Sequence, residues 1–92
     1  MKSVGDKIKV IAGTYGQNCG VSRGNKTEHL AKECNEKTKC EYVVNTFTIG
    51  DPYFGCAKNY IAEWQCGSDP AVKKSTIPAE AGWSSTVILT CE

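Results

Sequence analysis

Six cysteines in a chain of 92 residues constrain its fold more than any other feature. A chain this short buries only a modest apolar core and needs an additional staple to be stable. The cysteine count is even, and none of the six stands in the Cys-x-x-Cys spacing of zinc ribbons or thioredoxin-like sites. Three disulfides formed in an oxidising compartment are therefore expected, with no metal and no cofactor. Residues 1–7 are mostly polar and carry no apolar run, which predicts neither a signal peptide nor a transmembrane helix in this stretch. A secreted, periplasmic or extracellular location would then require that a signal was removed or belongs to a larger multidomain parent. The chain is read as one domain spanning residues 1–92.

Eleven basic and ten acidic residues give a net charge of +1 and are interspersed along the chain. No basic stripe exists to follow a polyanion, so nucleic acid is not an expected partner, and nothing in the pattern predicts membrane insertion. The local basic groups, Lys37 with Lys39 and Lys73 with Lys74, read as solvated faces.

Hydrophobic periodicity yields a mainly β chain. Lys7 to Gly13 alternates, with Ile8, Val10 and Ala12 on one face, and predicts a first strand. Gly16 to Asn25 is an irregular loop. Asn25 to Glu28 resembles a helix start with Asn25 as cap, and the helix would run to about Lys37 with Leu30 and Cys34 on one face. Cys40 to Ile49, rich in aromatic and β-branched residues, predicts a second strand. Gly50-Asp51-Pro52 is a turn, because Pro52 fixes its own φ and the Asp51 carboxylate can accept from nearby backbone N–H groups. Tyr60 to Cys66 alternates cleanly, with Tyr60, Ala62, Trp64 and Cys66 on one side. Ala71 to Ile77 would be a short edge strand, and Ser84 to Cys91 a last strand with Val87, Leu89 and Cys91 on one side.

Catalytic constellations are thin. His29, the single histidine, lies five residues before Cys34, but Cys/His catalysis needs a free thiol and the even count leaves none. Asp51, Glu63, Glu80 and Glu92 show no spacing that selects a glycosidase pair. Asn25-Lys26-Thr27 fits the N-glycosylation sequon, although the same residues serve as a helix cap. The chain is expected not to be an enzyme.

Several motifs taken together resemble a known family. Ala12-Gly13-Thr14-Tyr15-Gly16-Gln17 is similar to a tyrosine-glycine turn, Cys34 and Cys40 keep a Cys-x5-Cys separation, and Asp51 stands seven residues before Lys58 with Gly55 between them. These positions resemble the rhamnose- or galactose-binding lectin domain of the sea-urchin-egg-lectin type, also found in latrophilin. The family's first strand, which ends Cys-Glu, is similar to Ser85–Glu92 at the other end of this chain, so the resemblance implies circularly permuted termini. It implies an α+β, mainly β fold: a small disulfide-stapled antiparallel β-sandwich or sheet with one or two short helices.

For the site, the resemblance implies a non-catalytic domain that binds a monosaccharide such as L-rhamnose or D-galactose through Tyr15, Asp51, Lys58 and Glu92, with Asn45 and Gly55 as further contacts. It implies the pairs Cys34–Cys40 and Cys19–Cys91; Cys56 and Cys66, without family partners here, are left to pair with each other. The chain departs from the family at Gln17, where an arginine is expected, at Tyr53, where a cysteine is expected, and at Cys56, where a threonine is expected. Each site residue also has a plainer role open to it: Asp51 as a turn former, Lys58 as a solvated edge residue, Tyr15 as core, Glu92 as a chain end. The alternative function is a protein-interaction module, either an inhibitor or a targeting appendage of a secreted enzyme.

Overall fold

The computed structural model describes residues 6–91. Two antiparallel sheets enclose the core. One contains β1 (Ile8–Tyr15), β3 (Tyr60–Cys66) and β4 (Lys73–Ile77) in the order β1-β3-β4; the other pairs β2 (Lys39–Asn45) with β5 (Trp83–Thr90). α1 (Thr27–Cys34) connects β1 to β2, and the single helical turn α2 (Thr46–Ile49) follows β2 directly. The mainly β, disulfide-stapled architecture read from the sequence is the one observed.

Alternation explains the register. In β3 the Tyr60, Ala62, Trp64 and Cys66 side chains are buried, as are Tyr42 and Val44 from β2 and Val87 and Leu89 from β5. Tyr42 lies opposite Val87 and Cys40 opposite Leu89, so each sheet presents one apolar face to the other. Leu30 and Cys34 close the core from α1. The Trp64 indole N–H donates to the Thr90 carbonyl at 3.1 Å, a direct link between the sheets. Tyr42, Tyr60 and Tyr15 form a tilted aromatic row, with centroids 5.5 and 6.1 Å apart. Burial pushes the Tyr42 and Tyr60 phenols above their ordinary range.

β1 departs from simple alternation at a bulge. Val10 faces Trp64 and Ala12 faces Glu63, which leaves Ile11 without a partner. Beyond it Ala12 to Tyr15 are all buried, because α1 and the loop before it cover the outer face. Gly13 permits this close approach: a Cβ there would lie 2.7 Å from the Tyr60 hydroxyl and 3.0 Å from a Leu30 methyl.

Several element boundaries differ from expectation, and β1 runs on to Tyr15 where Gly13 was expected as its end. α1 starts at Thr27 and ends at Cys34 rather than Lys37, and the Asn25 side chain caps nothing. Instead Asn25 accepts from the Tyr15 N–H at 2.9 Å and donates to the Tyr15 carbonyl at 3.0 Å, fastening the loop to the end of β1. That commitment also occupies the side chain of the sequon. β2 ends at Asn45, not Ile49, because the Asn45 carboxamide accepts from the Phe47 N–H at 2.9 Å and opens α2. β4 begins at Lys73, two residues later than expected.

The disulfides correct two of the three implied pairs. Cys34–Cys40 is present, whereas Cys19 joins Cys56 and Cys66 joins Cys91. Cys56 and Cys66 are not partners: each is bonded to another cysteine, and the extended β3 lies between them. Cys66 and Cys91 each close a strand at one end of the molecule, and Cys19 and Cys56 occupy loops at the other. Among the described residues no cysteine is free, so the Cys/His pairing of His29 with Cys34 has no thiol. No helix among the described residues is long and apolar enough to cross a membrane.

Candidate functional site

The Asp51–Lys58 loop enters β3 at the end of the molecule opposite the Cys66–Cys91 bridge. Gly50, at φ 84°, stops α2, and Asp51 then forms an Asx turn in which its Oδ1 accepts from the Tyr53 N–H at 3.0 Å. The same Oδ1 accepts from Lys58 Nζ at 2.8 Å. Lys58 Nζ also donates to the carbonyls of Cys56 at 2.6 Å and Tyr53 at 3.2 Å. An ammonium has three protons, and here each has an acceptor. The side chain is only 4% exposed and lies over the Tyr15 ring, 5.5 Å from its centroid.

The loop is held from a second side. Gly16 is at φ 102°, where a Cβ would come within 3.1 Å of the Lys58 stem, so the tyrosine-glycine turn is built around that side chain. Cys19–Cys56 ties the following 3-10 turn, Gln17–Cys19, to the loop. Asn18 strengthens the tie by donating to the Ala57 carbonyl at 2.7 Å and accepting from the Asn59 N–H at 2.9 Å. The Ala81 N–H donates to the Lys58 carbonyl at 2.9 Å, bringing the loop before β5 alongside.

Tyr15, Asp51 and Lys58, expected together, are together: Tyr15 is core and Asp51 forms the turn, the plainer roles open to them, whereas Lys58 is buried and not a solvated edge residue. Tyr15 is 1% exposed and forms the floor beneath the lysine, so its face is not open to a sugar. Lys58 positions the loop and has no proton to spare. Asp51 is solvent-facing, with Oδ1 committed twice and Oδ2 engaged by neither partner. Gly55 lies exposed on the same loop at φ 86°. Asn45 is half-buried at the β2–α2 junction, and Glu92 lies outside the described residues. Glu63 is held by Arg23 in a two-pronged ion pair at 3.1 and 3.2 Å.

The hydrogen bond from Lys58 and that from the Tyr53 N–H hold the Asp51 carboxyl below the usual carboxylate range. A lowered native pKa means that, as pH falls, the unfolded chain takes up its proton first, near the ordinary value of about 3.9. The stabilisation is present above that pH and is lost as pH falls through the native value. Acid titration followed by amide spectra is expected to loosen residues 51–58 over this range, and Asp51→Asn is expected to remove that component. An identical acid profile in the two proteins would contradict the assignment.

Asn18, Phe47 and Trp83 are the residues that sequence reasoning missed. Asn18 carried no periodic signal. Trp83 stands in Gly-Trp-Ser-Ser without an apolar neighbour, which in retrospect marks an aromatic not destined for the core. Phe47, Tyr53, Phe54 and Trp83 are all exposed and all belong to segments at this same end, whereas Tyr15, Tyr42, Tyr60 and Trp64 are buried. Comparison with known protein families, curated proteins and solved structures finds no match.

Proposed function

We propose that the chain is a carbohydrate-binding module, similar to the rhamnose- or galactose-binding lectins with its termini permuted, that recognises a pyranose such as L-rhamnose or D-galactose at the Asp51–Lys58 loop. The observation that carries this reading is the 2.8 Å Asp51–Lys58 pair, which orients an accessible carboxylate on a loop tied to the tyrosine-glycine turn. Vicinal hydroxyls donate to Oδ2, and a charge-assisted bond of that kind is stronger than a neutral one. Lys58 acts through Asp51. An open site of this sort holds a monosaccharide at roughly millimolar to micromolar Kd, and several copies would add avidity.

Calorimetric titration of the oxidised protein with D-galactose and L-rhamnose tests this. Saturable binding of at least one sugar is expected, weakened about tenfold or more in Asp51→Asn, which keeps the Asx-turn oxygen; a tenfold loss corresponds to about 1.4 kcal/mol. Equal binding by both proteins would contradict the site.

A second reading rests on Phe54, 92% exposed beside Tyr53 on the disulfide-pinned loop. Exposed aromatics on a rigid loop suit a protein partner. That reading predicts indifference to sugars and a partner lost in Phe54→Ala.

A further inference from the structure

Trp83 is 65% exposed and Phe47 83% exposed, their rings meeting edge to face with centroids 6.0 Å apart. Neither is a stray surface residue, because the backbone is arranged to place both there. Val87, Leu89 and Cys91 point into the core, so unbroken alternation would carry Trp83 inward as well. A bulge prevents this. Val44 faces Ser85 and Asn45 faces Trp83, which leaves Ser84 as the extra residue at φ 65°, a left-handed conformation usually given to glycine. The bulge turns the indole outward. On the facing segment the Asn45 cap fixes α2, and the Thr46 N–H donates to the Gly82 carbonyl at 3.0 Å, locking Phe47 beside the indole.

The surroundings select the occupant. The flanking segments Asn45-Thr46-Phe47-Thr48-Ile49 and Gly82-Trp83-Ser84-Ser85-Thr86 carry hydroxyls and an amide but no charge. Two side chains expose an area well short of the roughly 800 Å² per partner of a stable protein interface. They suit a sugar ring, whose C–H face packs on the electron-rich face of an indole while its hydroxyls reach the threonine and serine hydroxyls of these segments. The Ala81 N–H bonds to the Lys58 carbonyl, and Trp83 lies two residues further on, about 7 Å of extended chain.

We propose that Phe47 and Trp83 form a second, aromatic subsite, so that the ligand is an oligosaccharide spanning from Asp51 to Trp83 rather than a single sugar. This rests on the carbohydrate-binding reading above. Affinities are compared calorimetrically for D-galactose against β-1,4-galactotetraose and for L-rhamnose against a linear rhamnotetraose, in the wild type, Trp83→Ala and Phe47→Ala. In at least one pair the wild type is expected to bind the tetrasaccharide tenfold or more tighter than the monosaccharide. Both variants are expected to lose that gain and keep the monosaccharide affinity. Trp64 is 4% exposed, so iodide quenching of fluorescence reports Trp83, and the tetrasaccharide should protect it. A tetrasaccharide gain that survives Trp83→Ala, or that is absent while the monosaccharide binds, overturns the subsite and leaves the lectin reading standing. A wild type that binds no member of either pair overturns both.

Discussion

Replacing Cys66 and Cys91 together by alanine is expected to cost about 3.5 kcal/mol on the loop-entropy model and to lower Tm by roughly 20 °C. The bridge closes a loop of sequence separation 25, joining the end of β3 in one sheet to Cys91 just past β5 in the other. Among the described residues no strand pairing joins the two sheets, so this bond adds a covalent link to the packing of their apolar faces. Cys19–Cys56, with a separation of 37, yields about 4 kcal/mol on the same model. A difference of that size lies within the model's error, and burial decides between the two. Cys66 and Cys91 are 5% and 4% exposed, so their removal also opens space in the core, whereas the other bridge joins surface loops. Cys34–Cys40 is as deeply buried but closes a separation of only 6, so loop closure contributes about 2 kcal/mol there and its total falls below that of Cys66–Cys91. Thermal denaturation of the three double variants checks the order. A Cys66/Cys91 variant no less stable than the Cys34/Cys40 variant would contradict the role assigned to the bridge.

Lys58→Met should be the most damaging single substitution in the loop, lowering stability by about 3 kcal/mol. Methionine matches the length of the stem but removes all three donors, so Asp51 and the Cys56 and Tyr53 carbonyls lose a charged partner whose hydrogen bonds contribute about 1.5–3 kcal/mol each, less what water restores on this exposed loop. Lys58→Arg is not a rescue, because a planar fork does not reproduce three donors converging from one nitrogen. The cost is read from urea denaturation. An unchanged m-value with a lowered midpoint is expected, since the core is untouched. A loss below 1 kcal/mol would show that water replaces the ammonium and that the loop does not depend on it.

Strands whose faces differ sharply were legible in the sequence. Tyr60 to Cys66 was readable apart from Ile61, which lies on the opposite face and is buried as well, because its other apolar positions alternate and Gly67 ends it. Val87, Leu89 and Cys91 were readable for the same reason, and Leu30 with Cys34 followed from helical spacing. The Asn45 turn was hidden because Cys40 to Ile49 is uniformly rich in strand formers, and a single side-chain cap outweighs that propensity. The bulges at Ile11 and Ser84 carry no glycine, the residue that would have announced them. Cysteine pairing is a tertiary property: six cysteines allow fifteen pairings. The lectin resemblance expects threonine at Cys56 and pairs Cys19 with Cys91, whereas Cys19 bonds Cys56 and Cys91 bonds Cys66. Tyr15, Asp51 and Lys58 were grouped by the family resemblance and do lie together, yet the resemblance could not reveal that β1 and the glycine turn bury the tyrosine or that backbone carbonyls consume the lysine's protons.

The central claim is that an oriented Asp51 carboxylate on a disulfide-pinned loop binds a sugar. Its most direct test is a ¹H–¹⁵N titration of the oxidised protein with L-rhamnose, D-galactose and glucose as control. Saturable shifts confined to Gly16–Cys19, Asp51–Lys58 and the neighbouring Ala81, produced by one of the first two sugars and not by glucose, are the predicted result. Spectra unmoved at high millimolar concentrations of all three, or shifts centred on the opposite Cys66–Cys91 end, would contradict it.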